Sequence, residues 1–166
     1  RPGPGQMYRL DPDGSTELVL DGLGCSNGLD WSPDGSQAYY ADTLTGRIDV
    51  FDWDAGRGLR DRRPFVEIPI EDGMPDGLTV DSDGHIWVAL YRGGAVRRYS
   101  PDGRLDGVIE VPARGATSCG FGGADLSTLY ITTTRGDGDP DEANTAGALF
   151  RVDVGVRGLP VRPFAG

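Results

Sequence analysis

Two residues combine a metal-ligating type with a repeated local frame. Asn27 opens the run Asn27-Gly28-Leu29-Asp30-Trp31, and Asp76 opens Asp76-Gly77-Leu78-Thr79-Val80, at an offset of 49 positions. A third run, Thr117-Ser118-Cys119-Gly120-Phe121, places Ser118 in the corresponding opening position. An amide oxygen, a carboxylate and a hydroxyl brought to one ring are hard oxygen donors of the kind that suit a divalent cation. Gly28 and Gly77 follow the first two and give such a site small neighbours. Asn-Gly and Asp-Gly are also common turn pairs, so a purely conformational reading stands beside the chemical one.

Other chemistry-bearing residues lead less far. Ser118-Cys119 offers a nucleophile without a base in its sequence neighbourhood. The chain has a single His, His85, which follows a turn glycine and reads as a surface or strand-edge residue. One His disfavours both a Ser-His-Asp triad and a His-based zinc site. Asp137-Gly138-Asp139-Pro140-Asp141-Glu142 is acidic enough for a calcium loop. It lacks the Gly and the closing Glu of the EF-hand spacing, and Pro140 intrudes, so it reads as a solvated loop. Trp31, Trp53 and Trp87 read as packing residues. No glycine-rich phosphate loop joins a strand to a helix.

The elements that must position the opening residues are announced by turns. Asp11-Pro12-Asp13-Gly14, Ser32-Pro33-Asp34-Gly35, Asp81-Ser82-Asp83-Gly84 and Ser100-Pro101-Asp102-Gly103 each lie between apolar runs. Pro presets φ, Asp bonds back to the backbone and Gly closes the corner, so each predicts a hairpin. The repeat extends beyond the opening residues. Ala38-Tyr39-Tyr40-Ala41-Asp42 corresponds to Trp87-Val88-Ala89-Leu90-Tyr91. Gly46-Arg47-Ile48-Asp49-Val50-Phe51 corresponds to Gly94-Ala95-Val96-Arg97-Arg98-Tyr99. A third copy continues through Leu129-Tyr130-Ile131-Thr132 and Gly147-Ala148-Leu149-Phe150-Arg151-Val152. Four short strands in a period of about 40–50 residues are the signature of an all-β propeller. The expected units are a half blade over 1–26 and blades over 27–75, 76–116 and 117–166. A β-sandwich would not explain the register. About three and a half blades cannot close a ring, since propellers typically need four to eight. The chain is therefore expected to be part of a longer one or to close by forming a homodimer.

Composition agrees with this reading. Of 166 residues, 27 are Gly and 12 are Pro, a density that breaks helices and supplies turns. The net charge is −10, every basic residue is Arg, and no basic run occurs. Phosphate neutralisation supplies most non-specific nucleic-acid affinity, so nucleic acid is an unsuitable partner, as is an anionic membrane surface. No run of about 18 apolar residues is present to span a bilayer. Two cysteines, Cys25 and Cys119, are too few for a disulfide framework. Both read as reduced core residues of a cytoplasmic protein. The first residue is not Met, which fits a segment of a longer chain.

Several stretches in order resemble the regucalcin/gluconolactonase (senescence marker protein) family. They are Ser26-Asn27-Gly28-Leu29-Asp30-Trp31-Ser32, Tyr39-Tyr40-Ala41-Asp42-Thr43, Arg47-Ile48-Asp49-Val50-Phe51-Asp52 and Pro75-Asp76-Gly77-Leu78-Thr79-Val80-Asp81. Ile86-Trp87-Val88-Ala89, Gly93-Gly94-Ala95-Val96, Thr117-Ser118-Cys119-Gly120-Phe121-Gly122-Gly123 and Pro163-Phe164-Ala165-Gly166 complete the set. The resemblance implies a six-bladed propeller of roughly twice this length, with this chain as its C-terminal half. It implies one divalent cation (Ca, Zn, Mg or Mn) at the channel mouth and hydrolysis of sugar lactones. Of the family's ligands, the Asn falls on Asn27 and the Asp on Asp76, which would also serve as general base. The family's ligand Glu and its substrate-contacting Arg, Asn and acidic residue belong to the N-terminal half and have no counterpart here. This chain alone is therefore expected to be inactive. The alternative is a non-catalytic propeller fragment or binding scaffold, completed by a partner chain or by dimerisation.

Overall fold

The structure is a computed structural model that describes residues 3–135, 145–161 and 163. Asp137 to Glu142 and Phe164 to Gly166 lie outside the described residues. Antiparallel strands follow one another in chain order and form four sheets. A two-stranded sheet holds β1 (Gly5–Leu10) and β2 (Thr16–Leu23). A four-stranded sheet holds β3 (Ser26–Trp31), β4 (Gln37–Asp42), β5 (Arg47–Asp54) and β6 (Gly58–Glu67). A second holds β7 (Met74–Val80), β8 (Ile86–Tyr91), β9 (Ala95–Tyr99) and β10 (Leu105–Glu110). The last comprises β11 (Ala116–Gly122), β12 (Thr128–Thr133) and β13 (Leu149–Asp153). The sheets pack face to face in sequence and do not close a ring. This is an open section of a β-propeller.

The core is a set of layers between blades. Met7 and Leu20 of the first sheet pack against Ala38, Tyr40 and Phe51 of the second. Tyr39, Ile48 and Val50 meet Leu78, Val80 and Val88 of the third. Trp87, Ala89 and Val96 meet Cys119, Leu129 and Ile131 of the fourth. Middle strands are thus covered on both faces, which removes the polar-out alternation of a half-buried strand. The run Ile48-Asp49-Val50-Phe51 is buried throughout for this reason. Its one charged member, Asp49, is held by Arg47 Nε and Arg62 Nε, each at 2.6 Å. Trp31 packs edge-on against Trp53, and Trp87 against Phe121, so all three tryptophans serve packing.

The four predicted turns join β1 to β2, β3 to β4, β7 to β8 and β9 to β10. In each, the Gly N–H closes on the carbonyl three residues back, at 2.8–3.0 Å. The four glycines have φ between 71° and 84°, which L side chains adopt at a cost. All four turns lie at one end of the blades. The opposite end is the mouth, where β3, β7 and β11 begin.

The two cysteines differ from the expectation in one respect. Both are free, and Cys119 is buried, but Cys25 is exposed. Its backbone is pinned instead, the N–H donating to Asp42 Oδ1 at 2.8 Å, and the residue lies in the link from β2 to β3, outside the inter-blade layers. Tyr8, Leu10 and Leu18 on the outer side of the first sheet, and Leu149 on the last, are also exposed.

Candidate functional site

The innermost strand of each blade carries a bulge at the mouth. In β3 the ladder to β4 slips between Ser26 and Leu29, and in β7 the ladder to β8 slips between Pro75 and Leu78. Asn27 and Asp76 are the first residues of these bulges, and a bulge re-aims the side chain it carries. Gly28 and Gly77 are the second residues, and close packing explains them. A Cβ on Gly28 would lie 2.5 Å from Leu78 N and 2.8 Å from Asp76 O. A Cβ on Gly77 would lie 2.6 Å from Ser118 Cβ. Neighbouring inner strands therefore approach backbone to backbone at the mouth. Lower down, Asp30 joins them, its Oδ2 accepting from Val80 N at 2.8 Å and Thr79 Oγ1 at 3.1 Å.

This packing makes Asn27 and Asp76 neighbours across the boundary between blades. The Asn27 side chain and the Gly77 N–H both favour the charged form of the Asp76 carboxylate. Burial nonetheless outweighs both and pushes the Asp76 carboxyl above its ordinary range. Asn27 Nδ2 also donates to Thr43 Oγ1 at 3.0 Å, and Thr43 Oγ1 donates to Pro75 O at 2.8 Å.

Ser118 is placed differently. The slip in β11 falls between Ala116 and Ser118, with Ser118 paired to Thr132. Matching the three bulges puts Thr117 in the place of Asn27 and Asp76, and Ser118 in the place of Gly28 and Gly77. Ser118 thus abuts Gly77 at the mouth, while the Thr117 hydroxyl shares a hydrogen bond of 2.9 Å with Thr132. Thr43 and Thr117 were both missed from the sequence. The bulge position alone would have flagged Thr117, and residue types do not report it.

Cys119 of the Ser118-Cys119 pair is unsuited to act as a nucleophile. Cys119 Sγ donates to Trp87 O at 3.5 Å, and burial pushes its thiol up to about 12. His85 sits between Asp81 (Nδ1 to Oδ1, 3.6 Å) and Asp106 (Nε2 to Oδ2, 3.4 Å), at the turn end, away from the mouth. Among the described residues, no group of three or more His, Cys, Asp and Glu side chains could hold a metal ion. Among the described residues, the inner-strand bulges supply one carboxylate, Asp76, and one carboxamide, Asn27, both oxygen-bearing. Their chemistry fits a hard cation, and two such ligands are a fraction of the six to eight oxygens that Ca²⁺ takes.

Fold and site together define a propeller section whose inner-strand ends present a paired carboxylate and carboxamide. Residues 1–135 match the SMP-30/Gluconolactonase/LRE-like region, and the chain belongs to this family. It is 43% identical over 164 residues to a pentonolactonase from Haloferax volcanii, covering 94% of this chain and 56% of that protein. It is 39% identical over 168 residues to regucalcin from Oryctolagus cuniculus, covering 98% and 56%. Among solved structures, it superposes on a calcium-binding protein, regucalcin, from Agrobacterium tumefaciens with a TM-score of 0.87. Identity there is 31%, over 96% of this chain and 55% of that one. A gluconolactonase from Xanthomonas campestris aligns with a TM-score of 0.66 at 40% identity, over 75% and 40%. The family is of lactonase type, and the chain spans just over half the length of these curated relatives. No helix among the described residues is long and apolar enough to cross a membrane.

Proposed function

We propose that the protein containing this chain is a metal-dependent hydrolase of sugar lactones, and that these residues supply two of its cation ligands. The observation that carries the reading is the juxtaposition of Asn27 and Asp76 at matching bulges of adjacent inner strands. There, burial of the carboxylate outweighs the help it receives from the Asn27 side chain and the Gly77 N–H. Asn27 Oδ1 and Asp76 would hold one divalent cation (Ca, Zn, Mg or Mn). When bound, such a cation polarises a carbonyl and acidifies water. Asp76 serves as the general base, holding at a carboxylate oxygen the proton taken from the attacking water. Its burial raises its basicity toward the range in which general bases operate. Asn27, being neutral, orients the site without adding charge. Thr117 and Ser118 line the same mouth and offer hydroxyls to a polyhydroxylated substrate.

The remaining ligands and the substrate contacts are assigned to the other half of the ring, so this chain alone is inactive. The exposed Tyr8, Leu10, Leu18 and Leu149 support completion of the ring by that half or by a second copy. The test is hydrolysis of a sugar lactone by the full-length protein, with and without chelator. Asp76→Ala should lower the metal-dependent rate by about 10²- to 10⁴-fold. Retention of most of the rate would sink the assignment.

A further inference from the structure

Thr43 follows β4 and was given no role by the sequence, yet its hydroxyl touches both halves of the site. It is buried, with 8% of its surface exposed. Its Oγ1 lies 2.8 Å from Pro75 O, across the boundary between blades, and 3.0 Å from Asn27 Nδ2. A hydroxyl has one proton to give, and a carbonyl can only accept. The proton is therefore committed to Pro75 O, and Thr43 can face Asn27 only as an acceptor. That excludes the flipped amide, in which Oδ1 would oppose a lone pair. Pro75 O belongs to the peptide that leads into Asp76, so the same hydroxyl fixes the backbone from which the carboxylate projects.

We infer that Thr43 is the positioning residue of this site: it sets the orientation of the Asn27 amide and its separation from Asp76, which keeps Oδ1 available to a cation. This rests on the metal-hydrolase reading above. The hydrogen bond that orients the amide, to Thr43, is made by an N–H group and leaves Oδ1 uncommitted. It involves neither Oδ1 nor the Asp76 carboxylate, so it holds the amide with or without a cation. Partners that orient ligands in this way typically change metal affinity by about 10- to 100-fold when removed.

The test compares the full-length protein with Thr43→Val, which keeps the shape and loses the hydroxyl, and Thr43→Ser, which keeps the hydroxyl. Two readouts are taken. In metal-free protein, the Asn27 side-chain amide protons are followed by NMR. They should be protected from exchange in the parent and in Thr43→Ser, and unprotected in Thr43→Val. In a titration with Mn²⁺, affinity should fall about 10- to 100-fold in Thr43→Val and stay within about threefold in Thr43→Ser. Unchanged protection or unchanged Mn²⁺ affinity in Thr43→Val overturns the inference. So does loss of protection in Thr43→Ser, which would make the methyl packing the operative feature and can be read even if the Val variant does not fold. If the parent binds no Mn²⁺, the metal reading fails by itself, and the amide exchange still decides the role of Thr43.

Discussion

Asp76 and Asp81 stand at opposite ends of β7, five residues apart, and are treated in opposite ways. Asp81, at the turn end, is fully buried and saturated. Its Oδ1 accepts from the N–H groups of Asp83 and His85, at 3.0 and 2.9 Å. Its Oδ2 accepts from Trp87 Nε1 at 2.9 Å and from Arg98 at 3.2 Å. Asp76, at the mouth, is only partly buried, with the Asn27 side chain and the Gly77 N–H favouring its charge and no guanidinium among the influences on it. The more deeply buried carboxylate is the better compensated one. A buried charge that has been paired and bonded is a structural element. A less buried one left short of partners is a group prepared for something else, and carboxylates perturbed by their surroundings cluster at functional sites for that reason.

The largest effect on stability should come from breaking the compensated end. Asp81→Ala leaves Trp87 Nε1 and two backbone N–H groups without their acceptor and strips one partner from Arg98. Removing one member of a buried pair typically costs 3–5 kcal/mol. Arg98 keeps Asp106, at 2.7 Å, so a loss near the lower end, about 3 kcal/mol, is expected. Asp76→Asn should stay within about 0.5 kcal/mol, the usual range for sites without such a network. Denaturant midpoints of the two variants at neutral pH make the comparison. Equal losses would erase the distinction between the ends.

A smaller effect should follow at the mouth from crowding. Gly77→Ala drives a methyl group into Ser118, part of the adjacent inner strand rather than the tip of a flexible side chain. Overpacking of this kind typically costs about 1–3 kcal/mol. It should also separate β7 from β11 and weaken cation binding. Gly120→Ala on β11 is the control, because a Cβ there has nothing within 4 Å. If the two variants behave alike in thermal unfolding, the close approach at the mouth is not the reason for Gly77.

These contrasts also mark what the sequence could disclose. The hairpins were legible because Pro, Asp and Gly each impose a backbone preference at their own position. The blade repeat was legible because inter-blade layers demand apolar residues in every copy. The matching bulge positions of Asn27 and Asp76 were legible through that repeat. Ser118 was aligned one residue off Thr117, because β11 bulges one place earlier relative to its residue types than β3 and β7 do. The role of Thr43 was hidden, since its partner Pro75 is 32 positions away and a Thr after a strand has no distinctive signature. Cys25 looked like a core residue for the converse reason: its type suggests burial, while its segment is the exposed link from β2 to β3. The burial of Asp49 was hidden because a strand covered on both faces has no solvent side to report.

The finest prediction concerns the sign of a pH dependence. Burial raises the Asp76 carboxyl, so the folded protein binds its proton more tightly than the unfolded chain does. Its contribution to stability is present below the unfolded value, near 3.9, and is lost as pH rises through the raised folded value. At the turn end the order reverses. Asp34 accepts from Ser32 Oγ, Ser36 N and Ser36 Oγ, which lowers its carboxyl to about 2. Its contribution is present above the ordinary carboxylate value and is lost as pH falls toward about 2. Stability measured against pH for Asp76→Asn and Asp34→Asn, each relative to the parent, should therefore give differences of opposite slope. The Asp76 difference should move between the ordinary carboxylate value and its raised one, and the Asp34 difference below the ordinary value. Slopes of the same sign would mean that Asp76 is as well satisfied as the turn carboxylates. The mouth would then hold no more unmet charge than the turns do, and the case for a cation there would lose its electrostatic support.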